Sequence, residues 1–213
     1  MVGLASVLAV IALGACGADD SDDDGGQSED SAAELSSSLP TADDLGLEER
    51  HEAEWDEAAD LLERDLVIGG ATDPSELGAE IDDAGFQIAV GSDLASEKLN
   101  VRLRAIQFDS EEGALEARDL LHDEDLKSPC PDACIVSPID YKLDAVPDST
   151  AVHHVPNRGA VPPGQLAVEA HHAEFVIGPQ LYVVQADGEP SATFSEDFDE
   201  LMGTVYGSAS DAG

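Results

Sequence analysis

The sequence predicts an α+β fold: an antiparallel sheet with helices packed on one side, preceded by a disordered acidic N-terminal tether. Three observations predict it. Helical and strand patterns are mixed along the middle of the chain, the last four strands come as a group, and a hairpin followed by a well-patterned helix closes the domain. Grouped strands joined by local turns pair with their neighbours in antiparallel fashion, leaving one face for helices.

The chain opens with an apolar run from Val2 to Ala12, closed by Leu13-Gly14-Ala15-Cys16 and followed by Gly17-Ala18-Asp19-Asp20. The run is shorter than the roughly 20 apolar residues a membrane span requires. It has the length of a signal-peptide core. No Lys or Arg precedes it, and the first basic residue is Arg50, so either the signal is weakly charged or Met1 is not the true start. A short apolar run, small residues and then a cysteine resemble the lipobox of bacterial lipoproteins. The resemblance covers residues 1–16. It implies a diacylglycerol on the Cys16 sulfur, cleavage just before that residue and a signal peptide over 1–15. Buried acyl chains contribute about 0.8 kcal/mol per methylene, and two chains anchor stably. The implied location is the cell membrane, lipid-anchored and facing outside. Plain secretion with an incidental Cys16 is the alternative.

Residues 16–39 are rich in Asp, Ser, Gly and Glu and read as an acidic disordered tether, too poor in apolar surface to offset the entropy of ordering. Asp20-x-Asp22-x-Asp24-Gly25 imitates the start of a calcium loop, but Ser31 stands where the bidentate Glu belongs. A single domain is expected over 40–207, with a disordered tail over 208–213.

Within the domain, Trp55, Ala58, Ala59, Leu62 and Leu66 recur at helical spacing and predict an amphipathic helix over Leu47–Leu66, with Trp55 as its core anchor. Asp73, Pro74 and Glu76 are start signals for a second helix, Leu77 and Ile81 form its inner face, and Gly85 ends it. Phe86–Val90 reads as a strand. Lys98–Phe108 alternates, with Leu99, Val101, Leu103 and Ala105 on one face and Asn100, Arg102 and Arg104 on the other. The two arginines read as partners of surface carboxylates, or as a small anion-holding patch. Asp109, with Glu112 three residues on, predicts a third helix through about Leu121, followed by a loop over Asp123–Pro138. Strands follow at Ile139–Leu143, Ala151–Val155, Leu166–Ile177 and Leu181–Ala186, with Gly178-Pro179-Gln180 turning the last two into a hairpin. Ser195, Phe198, Leu201, Met202, Val205 and Gly207 predict the final helix, its cap, stripe and stop. Two stretches, Val101–Leu121 and Phe175–Tyr206, resemble in their order of elements small α+β lipoproteins of unassigned function on actinobacterial surfaces. That resemblance carries over no functional residue.

Charge excludes one class of function. With 47 acidic residues against 9 Lys and Arg, the formal net charge is −38, and no basic surface for nucleic acid can be assembled. Direct attraction to anionic headgroups is excluded on the same ground, so any membrane attachment falls to the lipid. Cys130 and Cys134 remain once Cys16 is assigned to the anchor. An even remainder in an exported chain reads as one disulfide. A redox or metal-binding pair is the alternative, but the three-residue spacing with Pro129 and Pro131 departs from the two-residue redox motif.

Histidine is the residue type most pointedly placed. His153-His154 and His171-His172 fall on two predicted strands, where adjacent side chains point to opposite faces. In the right register one His of each pair would meet, with Glu169 or Glu174 supplying a carboxylate for zinc or copper. Two imidazoles alone make a weak site, and surface histidines among carboxylates need no ligand, so no metal or cofactor is expected. No phosphate-binding glycine loop, paired-His protease helix or nucleophile elbow occurs. The expected function is therefore non-enzymatic: a domain that binds an apolar small molecule or a cell-envelope protein. Its cleft would be bordered by Val101, Leu103, Val168, Val176, Val183, Phe198 and Leu201, which otherwise fill an ordinary core. The alternatives are an envelope hydrolase with a dispersed His/carboxylate site and a passive cation-binding acidic surface protein.

Overall fold

The computed structural model describes residues 25–63, 73–127, 135–156 and 167–212. Its elements run α1 (Gly25–Ser37), α2 (Ala42–Leu45), β1 (Glu48–Trp55), α3 (Ala58–Leu61), α4 (Pro74–Asp83), β2 (Phe86–Ala95) and β3 (Leu99–Phe108). Then come α5 (Glu111–Leu126), β4 (Ile135–Tyr141), β5 (Thr150–Pro156), β6 (Glu169–Ile177), β7 (Gln180–Gly188) and α6 (Phe194–Ala212). The strands form a seven-stranded sheet in the order β1-β2-β3-β7-β6-β5-β4, antiparallel at every junction. The expected α+β class and antiparallel sheet are thus present. Two local meanders meet at β3 and β7, and α5 carries the chain from the middle of the sheet to its far edge.

The helices cover both faces of the sheet, where one was expected. On one face Val101, Leu103, Ala105, Tyr182, Val184 and Phe175 pack with α1 and α6 through Leu35, Phe198, Met202 and Val205. On the other, Ile106, Phe108, Leu181 and Val183 pack with Trp55, Leu61, Leu77, Ile81 and Leu121. The alternation that marks β3 holds only for its first half. From Ala105 onward both faces are apolar, the pattern of a strand buried on both sides.

Arg104 lies on the second of these faces. It is 2% exposed, its Nη2 is 2.6 Å from Asp93 Oδ1, and Nη1 donates to the carbonyls of Ser92 (3.1 Å) and Leu103 (2.8 Å). Its guanidinium lies 4.9 Å from the centre of the Trp55 ring. Gly91, directly opposite in the register, is what admits this side chain: a Cβ there would collide with Arg104 and with the Leu103 carbonyl. Arg102, by contrast, reaches across to Gln185 at 3.2 Å.

Several expected boundaries move. Leu47–Leu66 is not one helix: its first half is β1 and only Ala58–Leu61 is α3. β1 is an edge strand in which only Trp55 is buried, so it carries no apolar alternation for a sequence reading to detect. The domain begins before Pro40, because α1 buries Ala32, Leu35 and, just beyond its end, Leu39. The third helix is capped by Ser110, whose Oγ accepts from Gly113 N, and continues to Leu126, five residues past the expected end. α6 runs through Gly207 to Ala212, since Ala209 extends the buried stripe one turn beyond Val205. The helix over Pro74–Asp83 matches expectation, with Asp73 accepting from Ser75 N and Gly85 at φ 93°. So does the hairpin, where Ile177 pairs with Gln180 around Gly178 at φ 56°. Cys16, Cys130 and Cys134 lie outside the described residues, as does the first part of the expected tether. Among the described residues no helix is long and apolar enough to cross a membrane.

Two outcomes follow for stability. Gly91→Ala, by overpacking against Arg104, lowers unfolding free energy by about 1–3 kcal/mol in urea denaturation. Leu35→Ala costs about 2–4 kcal/mol, and a chain starting at Pro40 melts below one starting at Gly25. An unchanged midpoint for the shortened chain would show that α1 is dispensable.

Candidate functional site

Antiparallel pairing of β5 with β6 sets Thr150 opposite Glu174, Val152 opposite His172, His153 opposite His171 and His154 opposite Ala170. Because successive strand residues alternate in facing, the four histidines separate into two sets. His153 and His171 share the face under α6. His172 and its diagonal neighbour His154 share the face under α5. His154 and His171 are each 1% exposed and His172 is 0% exposed, so three of the four are core residues.

On the α6 face the imidazoles of His153 and His171 stack at 4.0 Å. His153 Nε2 is 2.7 Å from Glu169 Oε1, Tyr141 Oη is 2.6 Å from His171 Nδ1, and Ser195 Oγ is 3.3 Å from His171 Nε2. Phe194 and Phe198 close over the His171 ring. Burial, reinforced by His153 and His154, pushes His171 down to about 3. Burial likewise raises Tyr141, with Asp199 adding to it. Both groups are therefore neutral at pH 7. Ser195 beside an imidazole invites comparison with a hydrolase, but a ring of such low proton affinity is a poor general base.

On the α5 face His172 Nδ1 contacts Asp125 Oδ2 and lies 3.7 Å from Glu174 Oε1. Thr150 Oγ1 donates to Glu174 Oε2 at 2.7 Å. His122 stands outside this core, its Nδ1 3.9 Å from Glu174 Oε2 and its Nε2 3.6 Å from Asp140 Oδ1. Burial opposes charging of His172, but the carboxylates of Asp125 and then Glu174 outweigh it and hold the ring at about 9. Burial pushes Glu174 up to about 8, partly offset by His172. Burial also lowers His154. The adjacent residues His171 and His172 thus hold opposite charge states, one neutral and one protonated, across a single strand.

The structure places the four histidines, while Cys16, Cys130 and Cys134 lie outside the described residues. His153 sits opposite His171, and each cluster takes one of the two candidate carboxylates, Glu169 on one face and Glu174 on the other. Sequence reading missed Asp125 and His122, because α5 was expected to end before them. Their helical spacing, His122 and Asp125 at i and i+3, was the available signal. Tyr141 and Ser195 carried none. Of the expected cleft residues, Val101, Leu103, Val183 and Phe198 are buried in the two cores, Val176 packs against one of them, and Val168 is exposed. A cleft of about 340 Å³ does open between α6 and the β3–β7 end of the sheet, lined by Leu99, Ala186, Phe194, Phe198 and Leu201 with Lys98.

No protein-family model matches the chain, and no curated protein does. Among solved structures it is similar to the extracellular domain of PknH from Mycobacterium tuberculosis, with a TM-score of 0.54 and 10% identity, covering 84% of this chain and 96% of that one. It is also similar to an uncharacterized protein of Mycobacterium smegmatis, the Rv0999 ortholog, with a TM-score of 0.39 and 11% identity over 76% of this chain and 87% of that one. The first likeness shows the fold, and at this identity the fold alone. The second carries no argument.

The His171 environment has a measurable consequence. Its ring takes up a proton near pH 6.5 when unfolded but near 3 when folded, so the unfolded chain binds more protons in that window. Stability is fully present above pH 6.5 and is lost as pH falls. Between pH 6.5 and 5 the wild-type chain loses about 1–2 kcal/mol more than His171→Gln, measured by urea midpoints. Parallel pH profiles would contradict the assignment.

Proposed function

We propose that this chain is an outward-facing, lipid-anchored envelope protein whose α+β domain is a non-enzymatic binding module. The cleft between α6 and the β3–β7 end of the sheet is the observation that carries the reading. Its 340 Å³ suits a small molecule. Leu99, Ala186, Phe194, Phe198 and Leu201 supply apolar contact, and Lys98, Glu189 and Asp197 supply charged groups of both signs for a polar end. The lipobox at Cys16 and a fold shared with a mycobacterial extracellular domain support the location. The net charge of −38 supports attachment through acyl chains, since the protein surface repels anionic headgroups. A disulfide between Cys130 and Cys134 fits the same oxidising compartment.

One observation favours the envelope-hydrolase alternative: Ser195 Oγ lies 3.3 Å from His171 Nε2. The low proton affinity of that ring weighs against it. A serine-directed phosphonate probe separates the two, labelling Ser195 only in a hydrolase.

Native mass spectrometry of the membrane-extracted chain, before and after solvent extraction, tests the binding reading. A small molecule at defined stoichiometry is expected, and Leu99→Glu, which places a carboxylate in the cleft, releases it. An apo mass for the wild type, or full retention by Leu99→Glu, would remove the cleft from consideration. Cys16→Ser shifts the protein from the membrane fraction to the supernatant, and an unchanged distribution would remove the anchor.

A further inference from the structure

The two histidine clusters differ in one respect. Under α6 the rings of His153 and His171 have hydrogen-bond partners in Glu169, Tyr141 and Ser195. Under α5 the polar atoms converge without satisfying one another. Both ring nitrogens of His172 and of His154, Oδ2 of Asp125 and Oε1 of Glu174 are buried with no hydrogen-bond partner. His172 Nδ1 and Asp125 Oδ2 are in contact as an ion pair. Leaving a buried polar group unsatisfied is costly, and native structures hold few of them. Those of Asp125, His172 and Glu174 lie close together and call for a shared partner.

The ligand atoms of Asp125, His172 and Glu174 all lie within 4.8 Å of one another. A single cation about 2.0–2.2 Å from each donor is reached from this spacing by small side-chain rotations. Two carboxylates and one neutral imidazole around a divalent ion leave no net charge at a buried point.

We propose that Asp125, His172 and Glu174 form a buried site for one divalent first-row transition-metal cation, with water completing the coordination. Imidazole nitrogen and carboxylate oxygen without thiolate select zinc, manganese(II) or iron(II) over a soft cuprous ion, while the imidazole disfavours calcium and magnesium. Entry runs past His122, whose side chain is 14% exposed and stands between buried Glu174 and the largely exposed Asp140. The bound ion would join α5 to β6.

Zinc is the probe. The full chain is stripped with a chelator, dialysed and titrated with zinc in excess magnesium, which occupies the exposed carboxylates. One zinc per chain should survive gel filtration and raise the thermal midpoint. His172→Ala and Asp125→Asn should bind at least tenfold more weakly, while His153→Gln on the opposite face retains wild-type binding. No retained zinc overturns the proposal, and so does undiminished binding by both variants or loss of binding in His153→Gln alone. If the variants fail to fold, cobalt(II) bound to the wild-type chain decides. Intense visible bands of a four- or five-coordinate ion support the site, and the weak bands of the hydrated ion overturn it.

Discussion

The antiparallel register of β5 against β6 is the constraint on which the rest of this structure depends. A shift of one residue would send every side chain of a strand to the opposite face, exchanging the stacked His153–His171 pair for the His154–His172 set. Two features hold the register. The Gly178-Pro179 turn fixes β6 against β7, and β7 in turn is paired along its length with β3. The position of the histidines is thus inherited from the best-packed part of the sheet, where Leu103, Ala105 and Leu181 are fully buried.

The same register makes the far half of the sheet unlike the near half. Around β3 and β7 both faces are filled by aliphatic and aromatic side chains. Around β5 and β6 imidazoles and carboxylates are interleaved with apolar side chains, and His154, His171, His172 and Glu174 are as deeply buried as the aliphatic core. Burying ionisable groups is costly unless they are paired or coordinated. The α6 side meets that cost with a hydrogen-bonded network and neutral rings. The α5 side meets it with opposite charges, which satisfy the electrostatics but leave individual atoms without partners.

How much of this was legible in the sequence differs by element. α4 and the β6–β7 hairpin were readable because their signals are local: Asp73 and Pro74 at a helix start, Gly178-Pro179 at a turn. β1 was not, because an edge strand with one buried residue has no apolar alternation, and its pairing with β2 is a tertiary fact. α1 was hidden by acidic composition, since its three buried contacts with the core are spread through a polar segment. The pairing of His153 with His171 was readable as one of two registers. The partners from α5 were not, because His122 and Asp125 look like solvated surface until the helix is known to run past Leu121 and lie on the sheet. Composition spoke clearly about charge and exclusion, and was silent about where charge is buried.

The most direct test of this account is the protonation state of the four strand histidines, read from the ring nitrogen resonances of the chelator-treated chain at pH 7. The register and burial described here require His171 to be a neutral imidazole and His172, its neighbour in the chain, to carry both ring protons. Two rings with common, solvent-like titration near pH 6.5 would contradict the opposed facing of these residues, and with it the separation of the sheet into two histidine environments.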